Sequence, residues 1–171
     1  LVCFKSKNWI GNGQLIPAGP MREKISSLER FDAVFLNGSC NNFEKIEKQI
    51  KDINLHIKIF KTFYKILNIQ TYNLESKYLM FSGIGNPSDF KDTLLENKFK
   101  IAREVVFPDH YNYSLKDLEE IQNIAKNEDL KIITTEKDFM KIPEEFKKEI
   151  NFLSIDLVIQ DKRELIELLT K

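Results

Sequence analysis

Apolar runs and helical patterns alternate along the 171 residues of this chain. Short apolar runs predict strands over residues 1–4, 33–36, 55–64, 78–81, 101–107, 131–134 and 151–158. Apolar residues at helical spacing predict helices over 26–31, 43–53, 89–95, 115–125, 139–142 and 162–169. Ser114 and Asp117 have the spacing of a capping box at the start of the 115–125 helix. Strands and helices that alternate in this way are typical of an α/β protein, with a mainly parallel sheet and flanking helices.

Four polar or glycine-containing loops, over residues 11–23, 82–87, 107–113 and 134–138, each follow a predicted strand. In open parallel sheets, ligands bind at the carboxyl ends of the strands. The placement of the four loops therefore predicts a single site.

The first of these loops runs from Gly11 to Glu23 and is dense in glycine and proline. Glycine permits unusual backbone angles and proline restricts them, so this composition indicates a defined loop path. Asn12, Arg22 and Glu23 are polar residues that neither a linker nor a core requires. We interpret the segment as a ligand-facing loop, and the alternative is a purely structural turn.

The 107–113 loop contains Asp109 followed by His110. Histidine is the most frequent general acid or base near neutral pH, and a neighbouring carboxylate can orient it. The alternative is a surface turn whose aromatic residues pack on a neighbour. Pro108 and the aromatic residues are expected to hold the loop rigidly, and both interpretations remain open.

The other two loops also have two interpretations each. The backbone of residues 82–87 could present N–H groups to an anion at the start of the next helix, or form an ordinary turn between a strand and a helix. Thr134 and Thr135, followed by Glu136, Lys137 and Asp138, could supply polar groups to a site or simply cap a helix.

Composition narrows the function classes. Lys and Arg number 26, as do Asp and Glu, so no overall positive charge favours nucleic acid, although residues 45–65 are locally rich in lysine. Cys3 and Cys40 show no metal-binding spacing and are expected to be buried free thiols in a reducing cytoplasm. No apolar run of about 18 residues predicts a transmembrane segment. The GxxxxGK[ST] sequence of a phosphate-binding loop does not occur in these 171 residues.

Five motifs in order carry a resemblance to a known family. Gly11–Glu23 matches G-N-G-x-L-x-P-A-G-P-L-R-E with Met21 in place of Leu, and R-x-D-x-x-x-x-N-G begins at Arg30. F-S-G-I-G-N-P begins at Phe81, F-x-D-H-x-x-Y at Phe107 and T-T-E-K-D at Thr134. Together they resemble the tetraacyldisaccharide 4′-kinases, which are the lipid A 4′-kinases of Gram-negative bacteria.

The resemblance implies the C-terminal part of a P-loop-kinase-like fold, covering residues 1–171 with a subdivision near 66–78. It implies ATP-dependent phosphorylation of the 4′-hydroxyl of the tetraacyldisaccharide 1-phosphate precursor of lipid A, at the cytoplasmic face of the inner membrane. We expect an N-terminal half with the Walker A loop and a D-D-G-x-Q segment, which would bind most of the ATP and Mg²⁺ and contact the membrane. This chain alone is then expected to be inactive.

The resemblance also implies roles for individual residues. His110, oriented by Asp109, would assist deprotonation of the sugar hydroxyl, and Arg22 with Glu23 would organise the place where donor and acceptor meet. Asn12 and Asn86 belong to the site loops, whereas Glu136, Lys137 and Asp138 are expected at the periphery. No metal ligand is assigned to this chain.

Two alternative functions remain. The chain could be a non-catalytic remnant that folds as a half-domain or binds a partner. It could also be a stand-alone α/β domain that binds a sugar or nucleotide. Of the three hypotheses, including the kinase, only this one predicts tight binding without an N-terminal half.

Overall fold

The computed structural model describes residues 1–38 and 43–170. These residues form two compact units, each with its own four-stranded sheet. The first unit comprises Leu1–Lys65 and Asp156–Lys171, and the second comprises Ile66–Ile155. The predicted parallel pairing is confirmed, but the strands divide between two sheets instead of one.

The sheet of the first unit has the order β1-β2-β3-β8. Its strands are β1 (Val2–Lys5), β2 (Ala33–Asn37), β3 (Lys58–Ile66) and β8 (Ile155–Ile159). Strands β1 and β3 both pair with β2 in parallel. A 3₁₀ helix (Ile25–Arg30) and the helices α1 (Phe43–Ile53) and α6 (Lys162–Leu169) accompany the sheet. Two groups of buried residues form its core: Leu28, Val34, Leu36, Ile46, Ile50 and Ile57 in one, and Ala33, Phe60 and Leu165 in the other.

The sheet of the second unit has the order β5-β4-β6-β7, and all its pairs are parallel. Its strands are β4 (Lys77–Ser82), β5 (Lys100–Val106), β6 (Lys131–Thr135) and β7 (Ile150–Leu153). Its helices are α2 (Pro87–Glu96), α3 (Leu115–Asn127), α4 (Glu136–Phe139) and α5 (Glu144–Lys147).

Strand β4 lies at the centre of the second unit and is buried on both faces. Leu79 and Phe81 belong to one core cluster, with Leu118 and Ile121 of α3. Tyr78 and Met80 belong to another, with Phe90 and Leu94 of α2. A parallel strand that is covered on both faces has a continuous apolar sequence, which explains why 78–81 contains no polar residue.

Several predicted elements agree closely with the structure. The helices over 43–53 and 162–169 have the predicted bounds. The capping box is present, because the Ser114 hydroxyl accepts a hydrogen bond from the Asp117 backbone N–H and the Asp117 carboxylate accepts one from the Ser114 N–H.

The prediction of one strand over 151–158 is wrong, because this segment contains an edge strand from each of the two sheets. Strand β7 pairs with β6, whereas β8 is the neighbour of β3. Between them, the Ser154 N–H donates to Asn68 Oδ1 at 3.0 Å and the Ser154 carbonyl accepts from the Leu67 N–H at 2.9 Å. These bonds take the Ser154 backbone out of the ladder of β7.

Three smaller predictions also need correction. The short helix expected at 139–142 is α4, which begins at Glu136 because the Thr135 hydroxyl caps it at the Asp138 N–H. The strand expected from residue 55 begins at Lys58, and Phe60 within it is buried. Helix α5 was not predicted.

Cys3 is exposed, not buried as expected, because it lies on β1 at an edge of its sheet. Cys40 lies outside the described residues. In the part of the chain that the structure describes, no helix has the length and apolar character needed to span a membrane.

Candidate functional site

Three loops of the second unit meet at the carboxyl ends of parallel strands. Strands β4, β5 and β6 pair in parallel, so the loops that follow them leave the same edge of the sheet. Gly83, in the loop after β4, joins the other two. Its N–H donates to Asp138 Oδ2 at 2.9 Å, and its carbonyl accepts from the His110 N–H at 3.1 Å. The structure therefore brings three of the four predicted loops together.

Gly83 is closely surrounded, because its neighbours leave little room for a side chain. A Cβ atom on this residue would lie 3.0 Å from the Tyr113 hydroxyl oxygen, 3.1 Å from Tyr111 Cβ and 3.2 Å from the Pro108 carbonyl oxygen. The rings of Tyr111, Tyr113 and Phe107 pack on one another with centroids 4.8–5.5 Å apart. The aromatic packing thus holds the 107–113 loop against the backbone of Gly83, as the sequence predicted for the rigidity of this loop.

Asp138 is fully buried, so it does not face solvent as a peripheral site residue would. Besides the Gly83 N–H, its Oδ2 accepts from the Thr135 hydroxyl at 2.9 Å. Its Oδ1 lies 3.2 Å from Lys141 Nζ, which also donates to the Tyr111 carbonyl oxygen at 3.2 Å. Asp138 therefore connects the backbones of the loops.

The Tyr113 hydroxyl is buried close to this carboxylate. Among the described residues it has no hydrogen-bond partner with regular geometry. Burial raises the pKa of the Tyr113 hydroxyl, and the negative charge of Asp138 raises it further. The Tyr113 hydroxyl therefore keeps its proton at pH values above the ordinary pKa of tyrosine.

His110 is an exposed functional group at this edge of the sheet. Its side chain is 75% exposed, and its backbone has a φ of 59°. Its Nε2 lies 3.9 Å from Asp109 Oδ2, which is within ion-pair range but longer than a hydrogen bond. The other carboxylate oxygen of Asp109 accepts from the His110 backbone N–H at 2.9 Å. Asp109 thus holds the backbone of His110 directly and its imidazole only electrostatically.

The remaining predicted residues of this unit lie around the same edge. Lys137 Nζ is 3.8 Å from Asp109 Oδ1, which places a cation beside the Asp–His pair. Glu136 is exposed, and its Oε2 accepts from the Ser154 hydroxyl at 3.1 Å. Asn86 precedes α2 and its Oδ1 accepts from the Ser88 hydroxyl at 2.8 Å. In these contacts, Lys137 reaches the Asp–His pair, whereas Glu136 and Asn86 each contact a serine.

The Gly11–Glu23 loop belongs to the first unit. Both ends of the Asn12 amide act inside the loop, because Nδ2 donates to the Ala18 carbonyl at 2.9 Å and Oδ1 accepts from the Gln14 N–H at 3.1 Å. Gly19 lies so close that an added Cβ would be 2.2 Å from Asn12 Oδ1. Asn12 therefore has a structural role in this loop.

Arg22 and Glu23 lie at an apolar cavity of about 470 Å³ in the first unit. Phe4, Trp9 and Leu28 are among its lining residues. Arg22 is exposed, and Glu23 forms an ion pair with Arg30. Because Arg22 and Glu23 belong to the first unit and His110 to the second, one site that contains them all stays a prediction.

Sequence reasoning missed Lys141 and the structural role of Gly83. The signal for Lys141 was its position three residues after Asp138, which places the two side chains on one side of a helical turn. The signal for Gly83 was the occurrence of glycine directly after an apolar strand.

Comparison with known proteins identifies the family. The sequence model of the tetraacyldisaccharide-1-P 4′-kinases, LpxK, matches residues 1–171. The chain belongs to this family. A tetraacyldisaccharide 4′-kinase from Pelagibacter ubique is 44% identical over all of this chain and 54% of that protein. One from Rickettsia canadensis is 34% identical over all of this chain and 51% of that protein.

A solved structure supports the LpxK fold. The crystal structure of LpxK from Aquifex aeolicus in complex with ATP matches with a TM-score of 0.61 and 23% identity, over 99% of this chain and 51% of that one. The predicted α/β fold, with mainly parallel pairing and flanking helices, is thereby confirmed. The chain spans about half the length of the curated LpxK relatives that it matches.

Among the described residues, no group of three or more His, Cys, Asp or Glu side chains could hold a metal ion. Mg²⁺ in phosphoryl-transfer enzymes is commonly held by one or two carboxylates together with substrate phosphates.

Proposed function

We propose that the chain supplies the histidine-bearing half of a tetraacyldisaccharide 4′-kinase. The reaction is the ATP-dependent phosphorylation of the 4′-hydroxyl of tetraacyldisaccharide 1-phosphate in lipid A biosynthesis, at the cytoplasmic face of the inner membrane. Membership of the LpxK family over the whole chain supports this proposal. The structural observation that carries it is an exposed His110 on a loop that buried contacts hold at the carboxyl ends of β4, β5 and β6.

His110 is assigned the role of the base that accepts the proton of the sugar hydroxyl. Its exposure leaves the imidazole accessible to a substrate, and Asp109 lies where its charge would stabilise the imidazolium that forms. The 3.9 Å separation of the two groups agrees with this role, because catalytic hydrogen bonds are often long in the absence of substrate and shorten in the complex. Asp109 is thus a partner of His110 and not itself the base.

The cations around this pair would bind the anionic groups of donor and acceptor. Lys137 lies next to Asp109, and a lysine ammonium at this place can neutralise charge on a transferred phosphoryl group. Arg22 and Glu23 are assigned to the same reaction from the first unit. Asn12, Asn86, Glu136 and Asp138 are assigned to the support of the loops.

We further propose that activity requires an N-terminal half like that of the relatives, which would bring the phosphate-binding loop. ATP and Mg²⁺ would be bound mainly there, with Mg²⁺ neutralising the phosphate charge during transfer. Peripheral contact with the membrane would also be made through that half.

Kinase assays test this proposal. Transfer of labelled phosphate from ATP to tetraacyldisaccharide 1-phosphate is measured for the chain alone and for the chain co-expressed with the N-terminal half of a relative. We expect transfer only in the second case. Equal transfer in both cases contradicts the need for the N-terminal half, and no transfer in either case contradicts the kinase function. Calorimetry with ATP and Mg²⁺ on the chain alone then shows whether it is a binding domain.

The role of His110 has its own test. In the active form, H110A is expected to lower kcat by about a hundredfold or more and to raise KM much less, because a general base acts on the chemical step. H56A is the matched control, since His56 is exposed and lies before β3 in the first unit. An unchanged kcat in H110A removes this residue from the mechanism.

A further inference from the structure

Lys141 ends at two acceptors that belong to different loops. Its Nζ lies 3.2 Å from Asp138 Oδ1 and 3.2 Å from the Tyr111 carbonyl oxygen, and its side chain is only 25% exposed. The ammonium also lies 6.0 Å from the centroid of the Tyr113 ring, at the outer limit of a cation–π contact. The lysine is therefore part of the packed interior of the loops, in contrast to the exposed lysines of this chain.

Two chains of contacts run from the buried Asp138 to the backbone around His110. On one side, Asp138 Oδ2 binds the Gly83 N–H, and the Gly83 carbonyl accepts from the His110 N–H. On the other side, Asp138 Oδ1 pairs with Lys141, which binds the carbonyl of Tyr111, the residue directly after His110. The backbone of His110 is thus held before and after its Cα atom by groups that share one carboxylate.

This arrangement matters because His110 has a backbone conformation that it would not keep without support. Its φ of 59° lies in the left-handed region, which non-glycine residues occupy only where their surroundings stabilise it. Its imidazole is three-quarters exposed and has few contacts of its own that could fix it. The position of the imidazole therefore depends on the backbone anchors.

We propose that Lys141 is a positioning residue for His110, acting together with Asp138. This inference rests on the proposed function of His110 as the base, but its structural content does not. Lys141 does not touch the reacting atoms; it keeps the 107–113 loop in the one arrangement in which the imidazole can meet a substrate hydroxyl. Misplacement of a catalytic group by about 1 Å can lower a rate by about a hundredfold, so the effect on catalysis is expected to be large.

NMR tests the structural content on the 171-residue chain itself. The chain has only two histidines, so the imidazole signals of His110 can be assigned by comparison with H56Q. In K141M we expect the His110 imidazole shifts to move and hydrogen exchange of the His110 amide to accelerate by about tenfold or more, because a local opening becomes easier. The His56 signals should stay unchanged. K91M is the matched control, since it breaks the Lys91–Glu104 ion pair in the same unit.

K141M leaves the buried Asp138 carboxylate without its cation, and this can prevent folding. A second variant therefore tests the proposal without the unpaired charge. D138N/K141M removes both charges and is expected to fold while it still releases the Tyr111 carbonyl. In K141R we expect the wild-type exchange rate to return in large part, because the guanidinium keeps the charge and offers several donors. His110 signals and exchange rates that match wild type in both K141M and D138N/K141M overturn the proposal.

Kinetics test the link to catalysis. In the active kinase, K141M is expected to lower kcat by about tenfold to a hundredfold with KM within about threefold, and K141R to restore most of the loss. K91M should leave both constants unchanged. Altered His110 signals with unchanged kcat overturn the positioning role. Altered His110 signals in a chain that shows no kinase activity with an N-terminal half contradict the proposed function and leave the anchoring of His110 standing.

Discussion

Alanine in place of Gly83 adds a methyl group where two loops are in contact. Ordinary van der Waals contact of a Cβ begins at 3.4 Å, and the added atom would meet the Tyr113 hydroxyl, Tyr111 Cβ and the Pro108 carbonyl at 3.0, 3.1 and 3.2 Å. These three atoms must therefore move away by about 0.4, 0.3 and 0.2 Å. Only the first is the far end of a side chain; the others lie on or next to the backbone of the 107–113 loop.

The cost of G83A follows from two opposing effects. Overpacking of a filled site costs about 1–3 kcal/mol, and this contact is at the middle of that range because three neighbours must move but each by less than half an ångström. The loss of backbone freedom in the unfolded chain offsets about 0.4–1 kcal/mol. We therefore expect G83A to lower the free energy of unfolding by about 1 kcal/mol.

G85A is the matched control in the same loop. A Cβ there meets only Asp109, whose Oδ2 would be 3.1 Å away. Because this carboxylate is the half-exposed end of a side chain, it can move aside at little cost. The unfolded-state effect then remains alone, and G85A is expected to be neutral or to raise the free energy of unfolding by about 0.5 kcal/mol.

Urea unfolding with two optical probes measures the difference. Tyr72, Tyr78, Tyr111 and Tyr113, four of the five tyrosines, lie in the second unit, so near-ultraviolet circular dichroism reports mainly on it. Trp9, the only tryptophan, reports on the first unit. We expect the tyrosine transition of G83A to move to lower urea relative to G85A. Equal midpoints for the two variants, or a G83A midpoint above wild type, would refute the overpacking argument.

Two further predictions concern the second unit. S114A should lower the free energy of unfolding by about 1 kcal/mol through loss of the cap. Hydrogen bonds from the Ser114 hydroxyl, and next from the Ser114 backbone N–H, lower the pKa of Asp117. The stabilisation that these bonds provide is therefore present above the ordinary pKa of aspartate and is lost as pH falls through the lowered pKa. NMR titration should find a higher Asp117 pKa in S114A, and an unchanged pKa contradicts the assignment. Y113F should change the free energy of unfolding by less than about 1 kcal/mol at neutral pH, because the hydroxyl has no regular partner. Because its pKa is raised, folded Tyr113 keeps its proton at pH values where the unfolded chain loses it, so the free energy of unfolding should fall as pH rises above the ordinary tyrosine pKa of about 10. In alkaline unfolding curves, this fall should be smaller for Y113F than for wild type.

Local patterns predicted those parts of the structure that depend on near neighbours. Helix α1 and helix α6 have the predicted bounds because their apolar residues repeat at helical spacing and pack one face of each helix on a core. The capping box at Ser114 needs only residues three positions apart. The polar loops after β4, β5 and β6 could also be placed from sequence, because parallel strands bring such loops to one edge.

Other features depended on contacts that no local pattern contains. The run over 151–158 has apolar residues on both sides of Ser154, and only pairing with β6 on one side and β3 on the other divides it. Asp138 belongs to a polar motif that is typical of a site, but its carboxylate is buried and accepts a hydrogen bond from the N–H of Gly83, 55 positions earlier.

The amino-acid sequence alone thus determined the α/β class, most helix and strand positions and the family, because each depends on periodicity or on motifs that lie within short stretches of the chain. Tertiary structure decided the division into two sheets, the structural role of Asn12 and the burial of Asp138 with Lys141 beside His110. These depend on which strands pair and which loops then come within hydrogen-bond distance. Burial and charge pairing depend on residues that are distant in sequence and close in the folded chain. The residues that hold His110 can therefore be identified only from the tertiary structure.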